Sequence, residues 1–310
     1  MVKNIKNTNK SILTGKKPLY SNFLCLLAVA LFSVSFPAVE ILRHSWEIFS
    51  LLSFRNFLAL ITMTLLWISI EKSEKIKIQT WLAGLFIGGV GFGLGSTLIV
   101  LCQILTTPII AALAASMMPI SGIFLEILLD KRKISLEFIL GLSLVLIGGV
   151  IATGIELKDT QFGFGLLLGL LASMTFAWGS RQTVKTLSST SLLGQATITT
   201  AGMFALSLII VCFSKLVHDF SVFPKYLDLN TWALLIFYSC FSLALSQVIW
   251  IKGVSLIGIG IASFHLNAAP FYVMVILVFL GFEWSWLKAL GGLIIVTGII
   301  ISQTTTSIKN

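Results

Sequence analysis

Residues 20–42 read YSNFLCLLAVALFSVSFPAVEIL, 23 positions carrying a single charge, Glu40. In hydrocarbon every backbone N–H and C=O must be paired within the structure. Only helices or closed barrels satisfy that, and a helix needs about 20 apolar residues to cross. A barrel strand alternates polar and apolar positions; this run is continuously apolar and reads as a helix. Lysines at 3, 6, 10, 16 and 17 precede it, an arrangement shared with secretory signal peptides. The apolar core of such a peptide is only about 7–15 residues long. A longer run with further spans behind it is expected to stay as an uncleaved first helix.

Working outward, nine more stretches have the same character. They are Ile48–Ile70, Thr80–Leu101, Pro108–Leu129, Leu136–Thr153, Gly163–Ser180, Ser191–Ser214, Thr231–Ile251, Ile257–Leu280 and Trp286–Gln303. Pro108 divides the closely spaced third and fourth, because proline is tolerated in a helix's first turn. The whole composition agrees: 57% of the 310 residues are hydrophobic, 11% are charged, and mean hydropathy is +1.01. A soluble domain is about one-quarter charged. The net charge of +9 lies scattered in short loops, with no basic stripe interleaved with aromatics, so a nucleic-acid partner is not expected. The cysteines, Cys25, Cys102, Cys212 and Cys240, all fall in apolar runs and form no CxxC pair.

With the N-terminus cytoplasmic, fifteen Lys and Arg fall in the tails and inner loops and five in the outer loops, leaving Arg55 inside a span. That positive-inside bias places both termini in the cytoplasm and requires an even number of spans. The two halves also match. Ser33, Ser35 and Phe36 of FSVSFPA in the first span align with Ser173, Thr175 and Phe176 of LASMTFA in the sixth at an offset of 140; Pro119 aligns with Pro270 at 151, and Gly141 and Gly148 align with Gly291 and Gly298 at 150. Five spans per half is an odd number, so the second half is inverted, a construction many secondary transporters use.

The expected architecture is therefore an all-α membrane protein of ten transmembrane helices in two inverted five-helix repeats. A basic cytoplasmic tail covers 1–19, the first repeat 20–153, an external linker 154–162, the second repeat 163–303, and a cytoplasmic tail 304–310.

FSVSFPAVE in the first span, LLSFRNFLAL in the second, and the stretch from Pro119 to Gly148 resemble one half of an EamA-type transporter of the drug/metabolite transporter superfamily. AAPFYVMVILVFLGFEWSWLKALGGLIIVTG, residues 268–298, resembles the end of the second half more closely. The family often carries a Gly-Glu pair after the fourth and ninth spans. Here the ninth ends Gly281-Phe282-Glu283, with the acid displaced by one position, and the fourth ends LLDKRKIS, with Asp130 near that place. The resemblance implies a carrier for amino acids, drugs, nucleotide-like metabolites or other small solutes, in a bacterial inner membrane.

Candidate site residues follow from what is costly in a membrane. Arg55 lies inside the second span, where a charged side chain should face protein or water and have a partner. Glu40 is the first candidate for an ion pair with it, and Glu47 the second. The competing readings for Arg55 are a substrate anion site, a structural pair, or snorkelling to the interface. Pro37, Pro119 and Pro270 each delete a backbone hydrogen bond within a span and are candidate helix breaks and gating points, or plain packing kinks. His265 and Asn267 stand just before Pro270, and Gln247, Trp250 and Trp178 could supply a donor and aromatic walls to a common cavity; bundle contacts and interface anchoring are the alternatives. No Asp, Glu or His reads as a mid-membrane proton carrier, and Glu126 reads as a partly solvated acid. Span three, with Gly84, Gly88, Gly89, Gly91, Gly93 and Gly95, reads as a close-packing helix.

Enzyme signatures are missing. GxxxxGK[ST], GxSxG and HExxH do not occur, so no catalytic residues, metal or cofactor are expected. The partners expected are a small-molecule substrate and membrane lipid, with a homodimer left open. The function expected is secondary transport of a small polar or amphipathic metabolite, an amino acid or related compound leaving the cell. Uptake or exchange of a nucleotide-like metabolite such as S-adenosylmethionine is the alternative. A membrane-embedded enzyme or a non-transporting scaffold is the alternative of another class.

Overall fold

The computed structural model describes residues 16–71, 76–130, 135–153, 160–217, 219–225 and 228–303. The tail over 1–15, most of the linker at 154–159 and the tail at 304–310 lie outside the described residues, as do the side chains of Glu126 and Asp130. Among the described residues every element is helical. Eight stretches are long and apolar enough to cross a membrane: Leu19–Leu42, Ile48–Glu71, Ile78–Leu105, Pro108–Leu129, Gly163–Thr186, Leu192–Val217, Leu229–Ile257 and Ala262–Phe279. Leu136–Gly148 and Trp286–Ile301 are shorter apolar helices.

Several of these stretches are broken. The first is α1 (Lys16–Ser33) and α2 (Ser35–Leu42), followed by an unbroken α3 (Ile48–Glu71). The third is α4 (Ile78–Ile87), a π-helical segment Gly88–Gly93, and α5 (Leu94–Leu105). The fourth is α6 (Pro108–Ser116) and α7 (Met118–Asp130). Then come α8 (Leu136–Thr153), α9 (Thr160–Thr186) and α10 (Leu192–Val217). The next comprises α11 (Leu229–Phe237), a second π-helical segment Tyr238–Leu245, and α12 (Ser246–Phe264). A 3₁₀ turn at His265–Ala268 leads into α13 (Ala269–Phe279), and α14 (Trp286–Gln303) ends the described chain.

Local chemistry sets the ends. Thr107 caps α6, its hydroxyl accepting from the Ile110 N–H at 3.3 Å, with Pro108 in the first turn. Asp228 caps α11 by accepting from the Thr231 N–H, and those hydrogen bonds hold its carboxyl below the usual carboxylate range. After α13, Gly281 adopts φ +89°, and the Phe282 N–H reaches back to the Leu277 carbonyl, a left-handed cap open to glycine. The expected boundary between spans eight and nine, at 252–256, falls instead inside α12; no proline or turn dipeptide stands there to stop the helix.

Three of the internal breaks lie next to prolines. Pro37 cannot donate to the Ser33 carbonyl, and α1 ends at Ser33. Pro119 cannot donate to Ala115, and the helix turns at Met117. Pro270 cannot donate to Leu266, which sits in the 3₁₀ turn and accepts from the Ala269 N–H instead.

The helices assemble by close approach. α3 packs on α10, α5 on α9, α1 on α12, and α8 on α14. The first π segment lies against α10 and the second against α3. A side chain at Gly88 would place its Cβ 2.0 Å from the Thr199 carbonyl oxygen, and one at Gly202 would stand 2.2 Å from that of Leu85. At one end of the bundle Trp46 packs on Phe54 and Trp232 at ring distances of 5.0 and 5.3 Å, and the Lys225 N–H bonds the Ser45 carbonyl at 2.7 Å.

Candidate functional site

The breaks in α1/α2, α6/α7 and α12/α13 border one cavity of about 130 Å³. Ser35 and Phe36 reach it from the first break, Ala115 and Met118 from the second, and Leu266 from the third. α5 adds Ser96 and Gln103, α9 adds Phe176 and Ser180, and the second π segment and α12 add Tyr238, Gln247 and Trp250. The cavity thus draws on helices from both ends of the sequence. Its walls are mostly apolar, with a few fixed polar groups, the usual make-up of a small-molecule site.

Arg55 also lines this space, although its side chain is only 5% exposed. Its Nε and Nη2 both donate to Asn56 Oδ1, at 3.0 and 2.7 Å, and its Nη1 donates to the Tyr238 hydroxyl at 2.9 Å. The guanidinium carbon stands 5.3 Å from the Tyr238 ring centroid. Asn56 in turn donates through Nδ2 to the Met203 carbonyl and the Ser207 hydroxyl of α10. One charged side chain and its neighbour therefore join α3 to both α10 and the second π segment.

The expected Glu40–Arg55 pair is not formed. Glu40 Oε1 takes a hydrogen bond from Arg43 Nη2 at 2.6 Å, and its Oε2 accepts a longer one from Gln103 at 3.4 Å. The physical reason is local: Arg43 follows Glu40 by three positions and meets it at the end of α2, whereas Arg55 on α3 bonds its neighbour Asn56 and Tyr238 of the second π segment. Glu47, the second candidate, accepts from the Ser50 N–H at the start of α3.

The other candidates divide. Gln247 and Trp250 line the cavity. Gln247 Nε2 donates to the Thr199 hydroxyl at 3.2 Å, and its Oε1 accepts from Thr200 at 3.4 Å. Trp178, His265 and Asn267 are not among the residues lining it. Trp178 packs edge-on against Phe86. His265 Nδ1 sits 3.1 Å from the Ala262 carbonyl, and Asn267, 6% exposed, leaves its Oδ1 without a partner. Pro37, Pro119 and Pro270 each stand within the first turn of the helix that follows a break.

Sequence reasoning missed Tyr238 and Gln103. Neither has a spacing or pairing that marks it in its span. Gln103 donates at 2.9 Å to the Phe36 carbonyl beside the first break, a contact across 67 residues that no local pattern encodes.

Three comparisons bear on this geometry. Residues 19–154 match the model of the EamA-like transporter family. No curated protein matches the chain. Among 26 solved chains that match in fold, a crystal structure is similar with a TM-score of 0.65 at 15% identity, over 94% of this chain and 99% of that one. At that identity the likeness concerns the fold alone. The resemblance read from FSVSFPAVE and LLSFRNFLAL is thereby borne out over residues 19–154. EamA-like proteins are membrane transporters of the drug/metabolite superfamily, and with its apolar helices the chain is an integral membrane protein.

Proposed function

We propose that this chain, an integral membrane protein with an EamA-like unit over residues 19–154, is a secondary transporter that carries a small polar or amphipathic solute by alternating access. The observation that carries this reading is the central cavity, lined by broken helices from both halves and holding one buried cation. Discontinuous helices around a midplane site are the construction alternating-access carriers use.

The reading includes ten spans in two inverted repeats. α8 and α14, at 18 residues each, are about 27 Å long at 1.5 Å per residue, close to the hydrocarbon thickness of about 30 Å. They meet reciprocally: Gly148 abuts the Gly291 carbonyl, and Gly298 abuts that of Gly141. Reciprocal contact of matched residues is the mark of a two-fold relation. The π segments at 88–93 and 238–245 also occupy matched places, and the cross-contacts of α10 with the first and α3 with the second exchange partners as that relation requires. With both termini cytoplasmic, the two halves rock about the cavity and expose it to each side in turn.

Reconstitution tests this. Purified protein in proteoliposomes should carry a solute with saturable, competable flux and release it chemically unchanged. Conversion of the solute without flux, or no saturable flux of any solute across amino acids, nucleotides and organic acids, would end the reading.

A further inference from the structure

We propose that the cavity binds the carboxylate of a small monoanion whose apolar body is about the size of one aromatic ring. The inference takes its purpose from the transporter reading above, but its test needs no flux.

The first ground is charge. Arg55 lines the cavity, nearly wholly buried, and its protein partners, Asn56 and Tyr238, are both neutral. The acids nearest in sequence are engaged elsewhere, Glu40 with Arg43 and Gln103, Glu47 with the Ser50 N–H. A buried charge calls for an opposite one. Among the described residues none supplies it. The second ground is the donors left over. A guanidinium has five N–H groups; three are used, on Asn56 Oδ1 and the Tyr238 hydroxyl. One N–H on Nη1 and one on Nη2 remain, and a carboxylate is the strongest acceptor a guanidinium N–H meets.

The third ground is what the walls lack. Among the described residues, no Asp or Glu lines the cavity. An ammonium or sulfonium group on the solute would meet no counter-charge there, and it would face the Arg55 guanidinium. The fourth is size and surface. Phe32, Phe36, Phe92, Phe176 and Trp250 surround a space of about 130 Å³; an engineered apolar cavity of about 150 Å³ takes a benzene ring. Together these select a lone negative charge on an apolar body, and against zwitterions and cations.

The test uses three probes that share a ring and differ in charge: benzoate, benzamide and benzylamine. Binding to the full-length protein in detergent is followed by tryptophan fluorescence and by thermal unfolding. Benzoate should bind at least about tenfold more tightly than benzamide, the ratio a charge-assisted hydrogen bond supplies, and benzylamine should not bind. Arg55→Gln should erase the preference for benzoate, and Arg55→Lys should keep part of it. If neither variant is recovered folded, the wild-type protein still decides: benzoate's advantage must fade in acid as the probe's own carboxylate takes up a proton. Equal binding of benzamide, tighter binding of benzylamine, or no binding of any probe overturns the proposal. Benzoate preference without flux in proteoliposomes sinks the transporter reading and leaves the anion site standing. Saturable flux of another solute with no benzoate preference does the reverse.

Discussion

Replacing Gly88 with alanine isolates how closely the third span approaches α10. The new Cβ would stand 2.0 Å from the Thr199 carbonyl oxygen and 2.7 Å from the Thr199 Cα. Carbon and carbonyl oxygen normally meet at about 3.3–3.6 Å, so the two helices must part by more than about 1 Å. The obstructing atoms are main chain, which cannot rotate away as a side chain would. Overpacking of this kind costs about 1–3 kcal/mol, occasionally more. Alanine also gains back about 1 kcal/mol of intrinsic helix preference over glycine, which would blur a comparison with wild type.

Gly89 removes that ambiguity. It is the next residue in the same π segment, and its Cβ would meet only ordinary contacts, the nearest being the Gly202 carbonyl at 3.4 Å. The helix-preference gain is common to both variants, so their difference reports the clash alone. Gly88→Ala should be about 1–3 kcal/mol less stable than Gly89→Ala, a shift of roughly 5-fold or more in the unfolding equilibrium. Reversible unfolding by denaturant titration in detergent, followed by tryptophan fluorescence, measures it. Equal stability of the two variants would refute the packing described for the third span and α10.

Four further outcomes are expected. Tyr238→Phe keeps the ring beside Arg55 but removes the hydroxyl that Nη1 bonds; the same titration should show a loss of about 1.5–3 kcal/mol, the range for a hydrogen bond to a charged group. Glu40→Gln breaks the partly exposed pair with Arg43 and disturbs only a long contact with Gln103, should cost no more than about 1 kcal/mol, and should not rescue Arg55→Gln in an expression assay. Pro119→Ala and Pro270→Ala restore the missing backbone donors, so transport rates in proteoliposomes should fall while thermal stability holds or rises. The Asp219 carboxyl is held below the usual carboxylate range by its hydrogen bond and attraction to Lys215. Its folded-state value is depressed, so its small contribution is present above the ordinary range and lost as pH falls through the lowered value; carbon NMR of labelled aspartate should show that titration return to normal in Lys215→Ala.

Most of the fold was legible because membrane helices are written in composition. The run at 20–42 and the helix stretch Leu19–Leu42 nearly coincide, and the run at 108–129 coincides with Pro108–Leu129. Hydrocarbon forbids unpaired backbone, so the length of an apolar run and the length of a helix are nearly the same quantity. Boundaries between adjoining spans were less legible. Where Pro108 marked one, it was read; at 252–256 nothing marked it, and α12 runs through. The π segments could not be read at all, since Gly88–Gly93 and Tyr238–Leu245 share no sequence feature beyond small residues, and the helices packed on them, α10 and α3, are far away in sequence.

The site was legible in its costs and illegible in its partners. Arg55 stood out because a charge in a span must be accounted for, and Pro37, Pro119 and Pro270 because each removes a bond the membrane cannot replace. The distant partner of Arg55 is Tyr238, 183 positions away and indistinguishable in sequence from a packing aromatic. Proximity in sequence favoured Glu40, and Arg43, nearer still, had already taken it. The consequence reaches beyond one contact. Had Glu40 met Arg55, the charge beside the cavity would be paired. Because the partners are neutral instead, a buried positive charge and three interrupted backbones converge on one space of about 130 Å³. Each is costly alone in hydrocarbon, and their meeting at one space is what the proposed anion site rests on.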